Sequence, residues 1–147
     1  MKLWIPLFFS LLLAIFHTAA IAQNPFPNFP TPTPPKAIGV STRNLEWAGW
    51  ETLRADTNRI VLDVRSPQEF ASGHIPGAIN IDIRAAEFIE NVKKLSKDKT
   101  YLVYCAIGGR SAKACTQMDG LKFKDTVNLL GGIRAWQAGG NNPVGGK

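Results

Sequence analysis

Short apolar runs alternate with helix-forming segments from residue 59 onward, and this alternation restricts the fold more than any other feature of the chain. The runs at 59–64, 100–104 and 126–130 each have the length and composition of a buried strand, and 78–81 forms a shorter one. A helical pattern or a helix-start signal separates each run from the next. Strands joined through helices need crossover connections, which produce a parallel sheet. We therefore predict one α/β domain whose central parallel β-sheet has helices on both faces.

The helices are predicted from their start signals and their apolar stripes. Ser66-Pro67-Gln68-Glu69 has the pattern of a capping box with proline at the first helical position, and this role alone accounts for Glu69. Gly73 ends that short helix. An apolar stripe at 85–95 has helical spacing and predicts a second helix. A last helix covers 133–138, after Gly131-Gly132. The stripe consists of Ala85, Phe88, Ile89, Val92 and Leu95.

The first 22 residues have the features of a secretory signal peptide. A positive start, Met1-Lys2, precedes an apolar run at 3–16, and Ala20-Ile21-Ala22 matches an A-x-A cleavage site. An uncleaved membrane anchor is the alternative, but the run is shorter than the ~20 residues of a spanning helix. We predict cleavage near Ala22 and a periplasmic or secreted protein that meets the membrane only through its signal peptide.

The remaining chain divides by composition. Residues 23–36 hold six prolines, which favour an extended linker. Residues 37–140 have the length of one domain with one core. We predict a flexible tail at 141–147.

Charge and cysteine content exclude several classes of protein. The net charge is +6, but its basic residues are not interleaved with aromatic ones, so we expect no nucleic-acid partner. The two cysteines, Cys105 and Cys115, are too few for a disulfide-stapled domain and lack zinc-site spacing. We expect neither a metal nor an organic cofactor.

Cys105 follows the predicted strand at 100–104 and begins a loop that leads into a helix. This places its thiol at the carboxyl end of a strand, where a parallel sheet binds ligands. Backbone N–H groups and a helix N-terminus stabilise a thiolate there, which lowers the pKa of the thiol and makes it a nucleophile. The candidate ligand-binding residues are those of the loop, Ala106, Ile107, Gly108, Gly109, Arg110 and Ser111. The chemistry requires an ionised thiol that solvent can reach.

Four separated motifs give the chain a resemblance to the rhodanese-like domain family. They are Leu62-Asp-Val-Arg65 with Glu69-Phe70, Gly73-His-Ile-Pro-Gly-Ala78, Cys105-x-x-Gly108-x-Arg110-Ser111, and Gly131-Gly132 with Trp136. The resemblance implies a single-domain sulfurtransferase in which Cys105 carries a persulfide. Family members usually have glycine before the phenylalanine that follows the active-site helix. Lys122 precedes Phe123 here, so we predict that Gly120 is the left-handed residue at this helix end.

The resemblance predicts transfer of a sulfane sulfur from thiosulfate or a similar small anionic donor to cyanide, a thiol or a protein acceptor. Arg110 is predicted to face the anionic substrate, with a neighbouring carboxylate as its alternative partner. Asp63 and Arg65 flank Val64 at a strand end, so we expect them to form a supporting ion pair. His74 is a candidate general base, although a hydrogen-bonded turn position suits it better.

Three alternatives stay open. The domain could be a sulfur carrier or a ligand-binding domain without appreciable turnover. A cysteine phosphatase or arsenate reductase is a weaker candidate, since those loops have one residue more between cysteine and arginine than the four found here. Cys115 is predicted to be a small core residue, and the alternative is a resolving thiol for Cys105.

Overall fold

A computed structural model describes residues 42–146 of the chain. The predicted signal peptide at 1–22 and the predicted linker at 23–36 lie outside these residues. Strands and helices alternate along the described part of the chain. The strands are β1 (Thr42–Leu45), β2 (Ile60–Asp63), β3 (Ile79–Asn80), β4 (Thr100–Tyr104) and β5 (Asp125–Leu129). The helices are α1 (Trp47–Arg54), α2 (Pro67–Ala71), α3 (Phe88–Lys93), α4 (Gly109–Gly120) and α5 (Gly132–Ala138).

The five strands form one sheet in the order β1-β5-β4-β2-β3, and every pairing is parallel. The predicted fold class is therefore confirmed. β4 lies at the centre, so Cys105, the residue that follows it, leaves the middle of the sheet at its carboxyl edge. The sequence prediction missed β1 and α1, because β1 is an edge strand without an apolar run.

Apolar side chains cover both faces of the sheet. Successive residues of β4 alternate between two clusters, with Tyr101 and Val103 in one and Leu102 and Tyr104 in the other. The first cluster includes buried residues of α3 and α4, and the second includes buried residues of α1 and α5. Alternation with a period of two is what a strand buried on both faces requires. Helices on both faces, as predicted, hold the sheet between them.

The C-terminal end of α4 differs from the prediction. Gly120 is the last residue of the helix, and the left-handed residue is Lys122, with φ of 66°. The N–H of Lys122 donates to the Asp119 carbonyl and that of Phe123 to the Met118 carbonyl, so the helix end is closed by backbone hydrogen bonds. Lysine therefore adopts the conformation that glycine adopts most readily.

The C-terminal residues 141–146 contact the domain, in the segment where the sequence predicts a flexible tail. His74 and Val144 form an antiparallel bridge in which each N–H donates to the other carbonyl at 2.9 Å. The Asn141 amide also donates to the Trp136 carbonyl. Composition gave no sign of this pairing, because it depends on a turn residue seventy positions away. Among residues 42–146 no helix combines the length and apolarity needed to cross a bilayer.

Candidate active site

The loop from Cys105 to Gly108 curls around the cysteine sulfur. The Gly108 N–H donates to Sγ at 3.1 Å, and Gly108 has φ of 94° at the start of α4. A Cβ at this position would lie 3.1 Å from both the Gly131 nitrogen and the Leu129 carbonyl oxygen. The tight curl therefore requires glycine here for its conformation and for the close approach to the β5–α5 loop.

Ser111 places a hydroxyl beside the same sulfur. Its Oγ lies 3.4 Å from Sγ and 3.0 Å from the Gly108 carbonyl oxygen, and the residue is fully buried. Burial raises the pKa of the Cys105 thiol. Hydrogen bonds from the Ser111 hydroxyl and from the N–H groups of Ser111, Ile107 and Gly108 outweigh burial, so the pKa lies below its ordinary value. This is the electrostatic setting of a nucleophilic thiolate.

Cys105 is also completely covered, since 0% of its surface is exposed. The sequence predicts a thiol that solvent reaches, and the structure differs on this point. The covering loop nevertheless presents outward-facing residues: Ile107 is 64% exposed, and a Cβ on Gly109 would meet nothing within 4 Å. A reacting atom therefore reaches Sγ only when the loop moves or when the atom is slim enough to enter between its residues.

Arg110 pairs with a carboxylate, which was the alternative in the sequence analysis. Its Nη1 and Nη2 donate to Glu69 Oε2 and Oε1 at 2.7 and 2.6 Å. The bond to Arg110 holds the pKa of Glu69 at about 2, and the bond to Glu69 raises the pKa of Arg110. Arg110 also interacts with the Cys105 sulfur, which raises its pKa further.

Glu69 therefore has two roles, although the sequence accounts for it through the capping box alone. The box is present, with Ser66 Oγ accepting from the Glu69 N–H at 3.2 Å and Glu69 Oε2 accepting from the Ser66 N–H at 3.1 Å. The same carboxylate holds the arginine of the cysteine loop. The motif Glu69-Phe70 in the resemblance was the one sequence signal for this second role.

Asp63 and Arg65 form the predicted ion pair at the end of β2. Arg65 Nη2 lies 2.7 Å from Asp63 Oδ2, and both side chains are buried. The same Nη2 donates to the Gly73 carbonyl at 2.7 Å, and the guanidinium lies 5.6 Å from the Tyr104 ring centroid. The pair thus fixes the loop after α2 against the central strand, and Asp63 neutralises the positive charge of Arg65.

His74 is a turn residue in the structure. Its ring stacks on Phe70 at 3.8 Å between centroids, and Nδ1 lies 3.0 Å from the Phe70 carbonyl oxygen. Its backbone pairs with Val144. These contacts give His74 the turn role that the sequence favoured over the general-base role.

The first turn of α5 supports the cysteine loop from the other side, a contact that the sequence did not predict. The Ile133 N–H donates to the Cys105 carbonyl at 2.8 Å, and the Arg134 N–H donates to the Ala106 carbonyl at 3.3 Å. Gly132 has φ of 60°, and a Cβ there would lie 2.4 Å from the Cys105 carbonyl oxygen. The pair Gly131-Gly132 was the available signal, because adjacent glycines often mark a close backbone approach.

Cys115 is a buried free thiol in the same core cluster as Cys105. Burial raises its pKa to about 12, so this thiol is protonated and unreactive at neutral pH. Both cysteines are free in the structure, and Cys115 packs as the small core residue that the sequence favoured. Among residues 42–146 no group of three or more His, Cys, Asp or Glu side chains is arranged to hold a metal ion.

Comparison with known proteins agrees with this geometry. The chain is 38% identical over 87 residues to the thiosulfate sulfurtransferase GlpE of Pseudomonas putida, covering 58% of this chain and 76% of that one. It is 35% identical over 83 residues to a sulfurtransferase of Allochromatium vinosum, covering 56% of this chain and 76% of that one. The crystal structure of a rhodanese-related protein from Thermoplasma volcanium is similar, with a TM-score of 0.60, 38% identity, and coverage of 69% of this chain and 97% of that one. The family profile described as a rhodanese-like domain matches residues 49–139, and the chain belongs to this family.

Proposed function

We propose that this protein is a sulfurtransferase that carries a sulfane sulfur as a persulfide on Cys105. The observation that carries the proposal is the hydrogen bonding of the Cys105 sulfur, which lowers the pKa of a buried thiol. The relatives named sulfurtransferase support the same activity. We also propose thiosulfate as the donor and cyanide or a thiol as the acceptor, and the name of the Pseudomonas putida relative supports the donor.

The reaction has two halves. The Cys105 thiolate attacks the outer sulfur of thiosulfate, a new S–S bond forms, and the old S–S bond breaks with its electron pair leaving on sulfite. Cyanide or a thiolate then attacks the outer sulfur of the persulfide and leaves with it, which restores the Cys105 thiolate. Two successive transfers through a covalent intermediate produce ping-pong kinetics.

The N–H groups of the cysteine loop stabilise the sulfur anion in both halves of the reaction. Successive N–H groups of a curled loop form an anion-binding nest, which favours the thiolate before transfer and the persulfide after it. Because Cys105 is covered, access of the donor to Sγ through the loop precedes bond formation. The Ala106, Ile107 and Gly109 segments, which reach the surface, are the part of the loop that a donor meets first.

The site is poorly suited to the phosphatase or arsenate reductase alternative. Both nitrogens at the end of the Arg110 side chain are hydrogen-bonded to Glu69. A tetrahedral oxyanion needs a free arginine fork and a wider loop, and the loop has four residues between Cys105 and Arg110. We expect no phosphate release from an aryl phosphate.

Mass spectrometry of the intact protein tests the proposal. After incubation with thiosulfate, the protein should gain the mass of one sulfur atom on Cys105, and cyanide should remove it with repeated turnover. Cys105→Ser should abolish both, while the matched variant Cys115→Ser should retain them, because Cys115 is protonated and packed in the core. A sulfur gain without turnover would identify a carrier domain, and no gain with any sulfane donor would refute the assignment.

Export is a separate proposal that rests on residues 1–22. Expression of the full chain in a bacterium with two membranes should give a periplasmic protein whose N-terminal residue is Gln23. A chain lacking residues 1–22 is the control and should stay in the cytoplasm. Recovery of the full chain with Met1 intact in the membrane fraction would instead identify an uncleaved anchor.

A further inference from the structure

Residues 143–146, which we call the strap, pack along the end of α2. His74 and Val144 exchange two backbone hydrogen bonds of 2.9 Å. A Cβ on Gly145 would lie 3.3 Å from the His74 ring and 3.4 Å from the Ala71 carbonyl oxygen. The strap therefore lies against the last residue of α2 and against the turn that follows this helix.

The sequence of the strap suits this close contact. Gly145 and Gly146 have φ of 83° and 76°, a conformation in which other residues are strained. A Cβ on Gly146 would overlap the Ser72 carbonyl oxygen, so a side chain at this position would push the strap away from α2. The family profile matches residues 49–139, so the strap lies outside the part of the chain that the family pattern describes.

α2 depends on contacts of this kind for its position. It has only five residues, none of them buried, and a helix this short is not stable in water by itself. The capping box fixes its first turn. The Gly73 carbonyl, which accepts from Arg65 at 2.7 Å, and the strap fix the turn after its last residue. Glu69 lies between these two ends, so loss of the strap contacts loosens the helix that carries this carboxylate.

The pair of Glu69 and Arg110 determines how much positive charge an anion meets at Cys105. Arg110 interacts with the Cys105 sulfur, while both of its terminal nitrogens donate to Glu69. The carboxylate offsets the charge of the guanidinium, so an anion that approaches Sγ is attracted only weakly. Both side chains of the pair are partly exposed, so water can replace Glu69 on Arg110 when α2 moves.

We propose that the strap is a positioning element that holds Glu69 on Arg110 and thereby weakens the attraction of the site for anions. Release of the strap frees part of the Arg110 charge for an anionic substrate. The consequence for catalysis rests on the proposed function and adds a means of regulating it. The charge at Cys105 itself is measurable without any sulfur transfer.

Alkylation of Cys105 by two reagents of similar size measures this charge. Iodoacetate is an anion and iodoacetamide is neutral, and both react with the thiolate. The ratio of their rate constants at one pH is therefore independent of the fraction of thiolate. Intact mass gives each rate, because Cys115 is protonated and buried and does not compete.

Val144→Pro removes the N–H that donates to the His74 carbonyl. The ratio of iodoacetate to iodoacetamide rate constants should rise about threefold, the size of one partly exposed charge interaction. Val144→Ala is the matched control, because it keeps the N–H and shortens a side chain that is exposed. Its ratio should equal that of the original protein.

Glu69→Gln tests whether the strap acts through the carboxylate. This change should raise the ratio by itself, and Val144→Pro should add nothing in its presence. A chain that ends at Asn142 keeps the bond from Asn141 to the Trp136 carbonyl and should behave as Val144→Pro does. In catalysis, Val144→Pro and the shortened chain should lower KM for thiosulfate by about threefold with little change in kcat.

Several outcomes would overturn the proposal. One is an unchanged ratio in Val144→Pro or in the shortened chain. Another is an equal rise in Val144→Ala, and a third is additivity of Val144→Pro with Glu69→Gln. A parallel increase of both rate constants would also overturn it, because general loosening of the cysteine loop speeds both reagents alike. If the ratio responds as expected but no donor places a sulfur on Cys105, the proposed function fails while the role of the strap in setting the charge stands.

Discussion

Arg110 holds both carboxylate oxygens of Glu69, at 2.7 and 2.6 Å, across 41 positions of the chain. One end of this pair lies in the first turn of α4, directly after the loop that surrounds the nucleophile, and the other lies in the first turn of α2. The loop is therefore tied to a helix that begins after a different strand. Both the stability of the fold and the charge at the site depend on the pair.

Glu69→Gln should lower both the free energy of unfolding and the KM for thiosulfate. The change removes a bidentate ion pair from a partly buried position, which we expect to cost about 1 kcal/mol in urea unfolding. It also frees the Arg110 charge beside Cys105, so KM for thiosulfate should fall. Ser66→Ala is the control, because it weakens the capping box and keeps the ion pair. A lower KM in Ser66→Ala as well would show that helix stability, not the released charge, is responsible.

Ser111→Ala should move the acid limb of the rate profile to higher pH. The thiolate is the reactive form, so the rate rises as pH passes through the pKa of Cys105. The Ser111 hydroxyl lowers that pKa, and its removal should shift the limb upward by about one pH unit. Ser111→Thr retains a hydroxyl and should resemble the original protein. Coincident profiles for the alanine variant and the original protein would show that the hydroxyl leaves the thiolate unaffected.

Gly132→Ala should destabilise the protein more than Gly140→Ala does. Both glycines have positive φ, at 60° and 89°. A Cβ at 132 would lie 2.4 Å from the Cys105 carbonyl oxygen, whereas nothing lies within 4 Å at 140. The control reports the backbone strain alone, about 1 kcal/mol, and Gly132→Ala should cost at least about 2 kcal/mol more because backbone must move. Equal losses in thermal unfolding would contradict the close contact.

The sequence predicted those parts of the molecule that depend on local pattern. The alternating runs gave the central strands and the parallel sheet, and Ser66 with Glu69 gave the start of α2, because periodicity and capping involve near neighbours. The second partner of Glu69 and the support of Cys105 by Ile133 depend on contacts between distant segments, which one sequence does not display. β1 was not predicted for a different reason, because an edge strand needs no apolar run. Full burial of Cys105 likewise results from three-dimensional packing that one sequence does not display.

Lys122→Gly should stabilise the protein, although it removes a side chain. Lys122 has φ of 66° at the end of α4, a conformation that costs a non-glycine residue about 1 kcal/mol relative to glycine. Because the residue is exposed, little packing is lost, and the free energy of unfolding should rise by up to about 1 kcal/mol. Lys124→Gly is the matched control, since Lys124 is exposed and has no positive φ. That variant should lose stability, because glycine gives its unfolded chain more freedom. The midpoints of urea unfolding should therefore shift up for Lys122→Gly and down for Lys124→Gly. A loss in both would show that the left-handed turn carries no strain.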